Sequence, residues 1–218
     1  MAYHGYIPFI HKATGAYQTP RILEIGVSSG ITLFALLQRL SHSHQAFSYT
    51  GIDVLVQGSV RETVRYMSLG PQMGVDLVEE NSLTALPRMV EEGRKFDVIL
   101  VDGDHNYFTV SQELPLVNEL SHESTLIVID DYEGRWSNRD LFYSTRDELE
   151  GVEIATPPPS DESEKQGVKP AVDEFVRAGL GWSALKLMPG EPIVLVHEKT
   201  QIFEINTRDE QDTSEESE

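Results

Sequence analysis

Two short runs on either side of the middle of the chain lead from apolar residues into acids: VDGDHNY at 101–107 and LIVIDDY at 126–132. If they are neighbouring strands, about 4.8 Å apart, Asp102, Asp130 and Asp131 gather at one edge. Three carboxylates that close repel one another unless protonated or bridged by a cation. Hard oxygen donors in a chain without cysteine favour Mg²⁺, with Mn²⁺ or Ca²⁺ as substitutes. His105, three residues beyond Asp102, adds an imidazole able to take a proton from a hydroxyl. Strand-end aspartates also cap the turn or helix that follows, and Asp104 reads as such a cap rather than a ligand. His4, His11, His42, His44, His122 and His197 fall in no motif.

A second group lies in ILEIGVSSGIT at 22–32, with the spacing Glu24-x-Gly26-x-x-x-Gly30 and Ser28 and Ser29 inside the bend. A dinucleotide loop would read GxGxxG and cradle a diphosphate at a helix N-terminus. An acid beside this bend disfavours a diphosphate and suits a ligand carrying positive charge. Asp53 ends the next apolar run, 27 residues after Gly26, where an acidic side chain in such sheets accepts ribose hydroxyls. A positively charged nucleoside without phosphate satisfies both, and S-adenosylmethionine, with its ammonium and sulfonium, is one. The glycines could instead serve only tight strand–helix packing.

These residues need a scaffold, and the hydrophobic pattern supplies one. Short β-branched runs at 21–27, 48–54, 75–80, 96–103 and 124–132 read as strands, separated by helical stretches near 30–41, 60–68, 82–92 and 106–121. Such alternation means a doubly wound parallel sheet, covered on both faces. Residues 133–167 lose any period and carry PPP at 157–159, so they read as an insertion. VKPAVDEFVRAG then reads as a helix, and WSALKLM and PIVLVHEK as an antiparallel hairpin joined by PGE. One domain over 1–202 and a disordered acidic tail over 203–218 are expected.

At 218 residues the chain can bury one core. A formal charge of -19 argues against nucleic acid or an anionic membrane as partner. With no membrane-length apolar stretch and no signal-like N-terminus, a soluble, cytoplasmic protein is expected.

LEIGVSSG, GIDV, FDVILVDGDHNY and LIVIDDY, in that order, resemble the class I S-adenosylmethionine-dependent methyltransferases. More narrowly they resemble the metal-dependent O-methyltransferases that act on macrolide sugars, of the macrocin O-methyltransferase type. The likeness covers roughly residues 20–132, with a weaker echo in GVKPAVDEF and the terminal hairpin. It implies an α/β, Rossmann-like sheet of seven strands, mostly parallel, with an antiparallel C-terminal hairpin strand. It implies cofactor contacts from Glu24, Gly26, Ser28, Gly30, Asp53 and Asp102, and adenine contacts from Asn81 and Ser82, where the family often has Asp-Ser. It places the divalent metal on Asp102, Asp130 and Asp131, makes His105 the base, and implies as acceptor a small-molecule hydroxyl, such as that of a sugar or glycoside. An oligomer is compatible with all of this.

The chain departs from that pattern in two places. Only about 20 residues precede the first strand, where such enzymes carry helices over the cofactor. The insertion at 133–167 is either a lid, with Tyr132, Trp136, Phe142 and Tyr143 as walls, or a disordered surface loop. A metal-independent N-methyltransferase and a non-catalytic S-adenosylmethionine-binding protein remain as alternatives, whereas a nicotinamide oxidoreductase would want the GxGxxG this bend lacks.

Overall fold

The computed structural model describes residues 6–42, 46–67, 73–152, 154–160, 164–187 and 192–200. In chain order its elements are α1 (Tyr6–Thr14), β1 (Arg21–Ile25), α2 (Ile31–His42), β2 (Phe47–Asp53), α3 (Gly58–Tyr66), β3 (Met73–Glu79), α4 (Ser82–Glu91), β4 (Val98–Val101), α5 (Tyr107–Glu119), β5 (Leu126–Ile129), α6 (Val168–Arg177), β6 (Trp182–Leu185) and β7 (Ile193–His197). The seven strands form one sheet in the order β3-β2-β1-β4-β5-β7-β6. β1 to β5 run parallel, and β7 is antiparallel to both β5 and β6. This is the mostly parallel, doubly wound sheet with an antiparallel C-terminal strand that the sequence implied. The PGE turn of the hairpin and the acidic tail lie outside the described residues.

Period-two alternation explains why both faces are dry. Ile22, Val98, Leu100, Leu126 and Val128 point to the side covered by α1, α2 and α3, while Leu23, Ile99, Val101, Ile127 and Ile129 point to the side of α4, α5 and α6. Each fully buried aliphatic side chain contributes about 1.5–3 kcal/mol. β3, at an edge, instead alternates between exposed and half-buried residues. Among the described residues, no helix is long and apolar enough to cross a membrane.

Two features were not anticipated. The N-terminal segment holds a helix: Tyr6, Ile7, Ile10, Ala13 and Thr14 of α1 are buried, and the Tyr6 hydroxyl donates to the Pro192 carbonyl at 2.5 Å. β4 and β5 are also shorter than their apolar runs. Their ladders stop at Val101 and Ile129, and one further bond each, Asp102 N–H to the Ile25 carbonyl (2.8 Å) and Asp130 N–H to the Val101 carbonyl (3.0 Å), holds the acid beyond the ladder. Both acids therefore stand at the carboxyl edge, beside the β1/β4 switch point where α/β sheets bind ligands.

Candidate active site

The bend after β1 is built by close approach. Gly26 has φ +89, and a Cβ there would stand 2.0 Å from the Asp102 carbonyl oxygen. A glycine is thus what lets the β1 and β4 loops meet. Val27 and Ser28 donate their N–H groups to one oxygen of Asp53 at 2.9 and 2.7 Å, and Leu55 donates to the other at 2.9 Å. The bend is consequently tied to the end of β2 by a carboxylate.

A cleft of about 430 Å³ opens at this edge, within the range of small-molecule sites. Gly26, Ser28, Asp53, Asn81, Ser82 and Asp102 line it. Two other sequence candidates lie off its wall. Glu24 is buried in β1 and accepts a hydrogen bond from the Tyr49 hydroxyl. Burial pushes its carboxyl up to about 8, against the opposing effect of that bond. Gly30 starts the first turn of α2, and a Cβ there would meet the Phe34 ring at 2.7 Å. Asn81 caps α4 by accepting from Leu83 N–H (2.8 Å), and its amide donates to the Ile154 carbonyl (2.6 Å) and Thr156 Oγ1 (2.9 Å).

Beside the cleft, Asp102, His105 and Asp130 each present a ligand atom, all within 4.8 Å of one another. Burial first, and then the Asp130 carboxylate, hold the Asp102 carboxyl well above the usual range. His105 is buried, with Nε2 3.6 Å from Asp102 Oδ1 and Nδ1 3.8 Å from Asp131 Oδ2. Asp131 reaches that position from a left-handed backbone, φ 54. Asp102, Asp130 and His105 therefore assemble, whereas Asp131, expected from the sequence as the third carboxylate, lies outside that group and meets His105 from the other side of its ring.

The insertion is ordered through much of its length and crosses the carboxyl edge. Leu141 pairs with His105 in an isolated bridge, Asn106 donates to the Leu141 carbonyl (3.2 Å), Asp140 accepts from Tyr107 N–H (2.8 Å) and Asp104 accepts from Tyr143 N–H (2.9 Å). Two 3-10 turns follow, Tyr143–Thr145 and Asp147–Leu149. Tyr143, Arg146, Glu148, Leu149, Ala155 and Thr156 then form one wall of the cleft. Of the four aromatic residues considered as walls, Tyr143 alone faces it, its ring 5.8 Å from that of His105. Tyr132 instead bonds Asp173 on α6 (2.6 Å), and Trp136 lies between Arg135 and Arg139.

A family profile described as a methyltransferase domain matches residues 23–132, half of the chain. No curated protein matches by sequence. Among solved structures, MNMC2 from Aquifex aeolicus matches with a TM-score of 0.56 at 12% identity, over 88% of this chain and 58% of that one. The SAH-bound methyltransferase PaMTH1 from Podospora anserina gives 0.54 at 18%, over 90% and 80%. The MycE methyltransferase of the mycinamycin pathway, in complex with Mg and SAH, gives 0.53 at 13%, over 89% and 50%. The chain spans about half the length of MNMC2 and MycE, and at these identities the likeness is one of fold. With its match across the bend, the ribose-side aspartate and both acidic strand ends, the chain belongs to the methyltransferase domain family and has the Rossmann-like fold of its class I, S-adenosylmethionine-dependent members.

Proposed function

We propose that the chain transfers a methyl group from S-adenosylmethionine to the hydroxyl of a small molecule, such as a sugar or glycoside, with a divalent cation at the acidic strand ends. The observation that carries this is the convergence of Asp102, His105 and Asp130 within 4.8 Å, next to a cleft that also contains Asp53. Oxygen ligands sit about 2.0–2.6 Å from Mg²⁺ or Ca²⁺, so ligand atoms up to about 5 Å apart fit one ion. Asp102 and Asp130 would hold it, whereas Asp131 lies outside that group and contacts the far side of the His105 ring. MycE, of the same fold, carries Mg and SAH, which supports the reading.

When bound, S-adenosylmethionine supplies a methyl on a sulfonium leaving group, and the cation lowers the pKa of an acceptor hydroxyl. Asp53 accepts the ribose hydroxyls in this scheme, and Gly26 lets the backbone come close to the cofactor. His105 takes the acceptor's proton on Nε2, with the Asp131 carboxylate 3.8 Å from Nδ1 on the other side of the ring. Tyr143 and the insertion keep water from the imidazole. Chelation should abolish methyl transfer while calorimetric SAH binding persists. Full activity in chelator would remove the metal role and favour the N-methylating alternative.

A second reading makes His105 a third ligand, since its ring nitrogen belongs to the same 4.8 Å group. As a base, His105→Ala should lower turnover about 10²- to 10⁴-fold with Mn²⁺ affinity retained. As a ligand, the same variant should lose Mn²⁺ affinity.

A further inference from the structure

The ribose reading gives the cleft a direction. Asp53 ends β2, and a methyl donor must face the acids that follow β4 and β5, which lie to one side of β2 in the sheet. Base and sulfonium leave the ribose at opposite ends, so the base goes to the other side, toward the end of β3. There Asn81 and Ser82 line the cleft from the sheet, while Ala155 and Thr156 line it from the insertion.

Asn81 has no hydrogen left for a base. Its Oδ1 accepts from Leu83 N–H (2.8 Å), and its two amide hydrogens go to the Ile154 carbonyl (2.6 Å) and to Thr156 Oγ1 (2.9 Å). The amide cannot be turned over, because its oxygen would then face the Ile154 carbonyl and its N–H the Leu83 N–H. Thr156 Oγ1 is consequently the acceptor in that contact, and its own hydrogen points elsewhere. Among the described residues no group accepts that hydrogen, although Thr156 is only 8% exposed. The Ser144 hydroxyl donates to the Thr156 carbonyl (2.6 Å) and fixes the residue from a second direction. A hydroxyl so little exposed, with its hydrogen unclaimed, is a donor held ready for what enters the cleft.

We propose that Thr156 is a cofactor-binding residue, its hydroxyl donating to an adenine ring nitrogen beside the exocyclic amine, N1 or N7. This rests on the cofactor reading above. The insertion, rather than the sheet, then supplies the donor for the base, and the second lone pair of Asn81 Oδ1 is left to accept from the amine. Asn81 also acts on the base indirectly, because it holds the hydroxyl that meets it. A base with a carbonyl in place of the amine would set two acceptors against each other there.

Calorimetry of the full chain tests this with SAH and with its 1-deazaadenine and 7-deazaadenine analogues, each lacking one of the two nitrogens. Thr156→Val should weaken SAH binding about three- to tenfold, and Thr156→Ser, which keeps the hydroxyl, should stay within about twofold of wild type. For one of the two analogues the valine variant should bind as well as wild type does, because the accepting atom is already gone. Valine also gives up the bond from Asn81, and an insertion loosened in that way would weaken SAH and both analogues alike. Such a uniform loss would overturn the contact, as would wild-type SAH affinity in Thr156→Val, and either result leaves the cofactor site standing. If the valine variant does not fold, as judged by thermal melting, Thr156→Ala takes its place. A wild-type chain that binds no SAH would overturn the cofactor reading and the Thr156 contact with it.

Discussion

Asp53 accepts from Val27, Ser28 and Leu55, so its charge organises the bend before any ligand arrives. Asp53→Ala should therefore act twice. SAH affinity should fall by about 1.5–3 kcal/mol and, in urea, stability by a similar amount, since charge-assisted bonds are lost in both cases. Unchanged SAH affinity with reduced stability would confine Asp53 to holding the loop. Asp131 acts differently, because its contact with His105 is made from a left-handed backbone that asparagine also tolerates. Asp131→Asn should keep the fold and SAH binding but lower turnover about tenfold or more, the scale seen when a partner that orients an imidazole is replaced. The sequence made Asp102, His105 and Asp130 legible because strand ends are where a parallel sheet delivers side chains. The burial of Glu113 on α5 was not legible, since in VSQELPLVNE it looks like the polar position of an amphipathic helix. The burial of Glu24 was hidden too, because its partner Tyr49 lies 25 residues away on the next strand.

The strands and principal helices followed from periodicity, as did the antiparallel hairpin. The insertion did not, because it is fastened by side chain to backbone bonds spanning 33 to 73 residues, which leave no period in the sequence. α1 was missed for a local reason: Pro8 interrupts a stripe formed by Tyr6, Ile7, Ile10 and Ala13, and no basic or acidic pattern marks its start. Asn106 joins two elements, capping α5 through Thr109 N–H (2.7 Å) and donating to the Leu141 carbonyl (3.2 Å). Asn106→Ala should cost about 1–2 kcal/mol of stability through the lost cap. It should also raise the rate of limited proteolysis within 141–150. Stability loss without new cleavage would show that the Leu141 contact contributes little to holding the insertion.

For the molecule as a whole, three carboxyls raised by burial, Glu24, Glu113 and Asp102, act together on the response to pH. Glu24 and Glu113 are both pushed by burial from 4.5 to about 8. Between those values the folded chain binds more protons than the unfolded one, so stability falls as pH rises, by up to about 1.4 kcal/mol per unit for each group. Metal-free protein should show a lower urea midpoint at pH 8 than at pH 5.5, and Glu113→Gln should flatten the slope. A midpoint that rises with pH would mean that these groups ionise freely in the folded state. The formal charge of -19 works in the same direction through self-repulsion. The insertion also spans the cleft unevenly. On the β4 side it is held at His105, Asn106, Tyr107 and Asp104, whereas on the β3 side, among the described residues, Asn81 provides the side-chain tie. That is a hinge facing a latch. Spent cofactor can then leave on the latch side while the imidazole keeps its setting for the next turnover, and Asn81→Ala should speed SAH release in stopped flow with little effect on the methyl-transfer step.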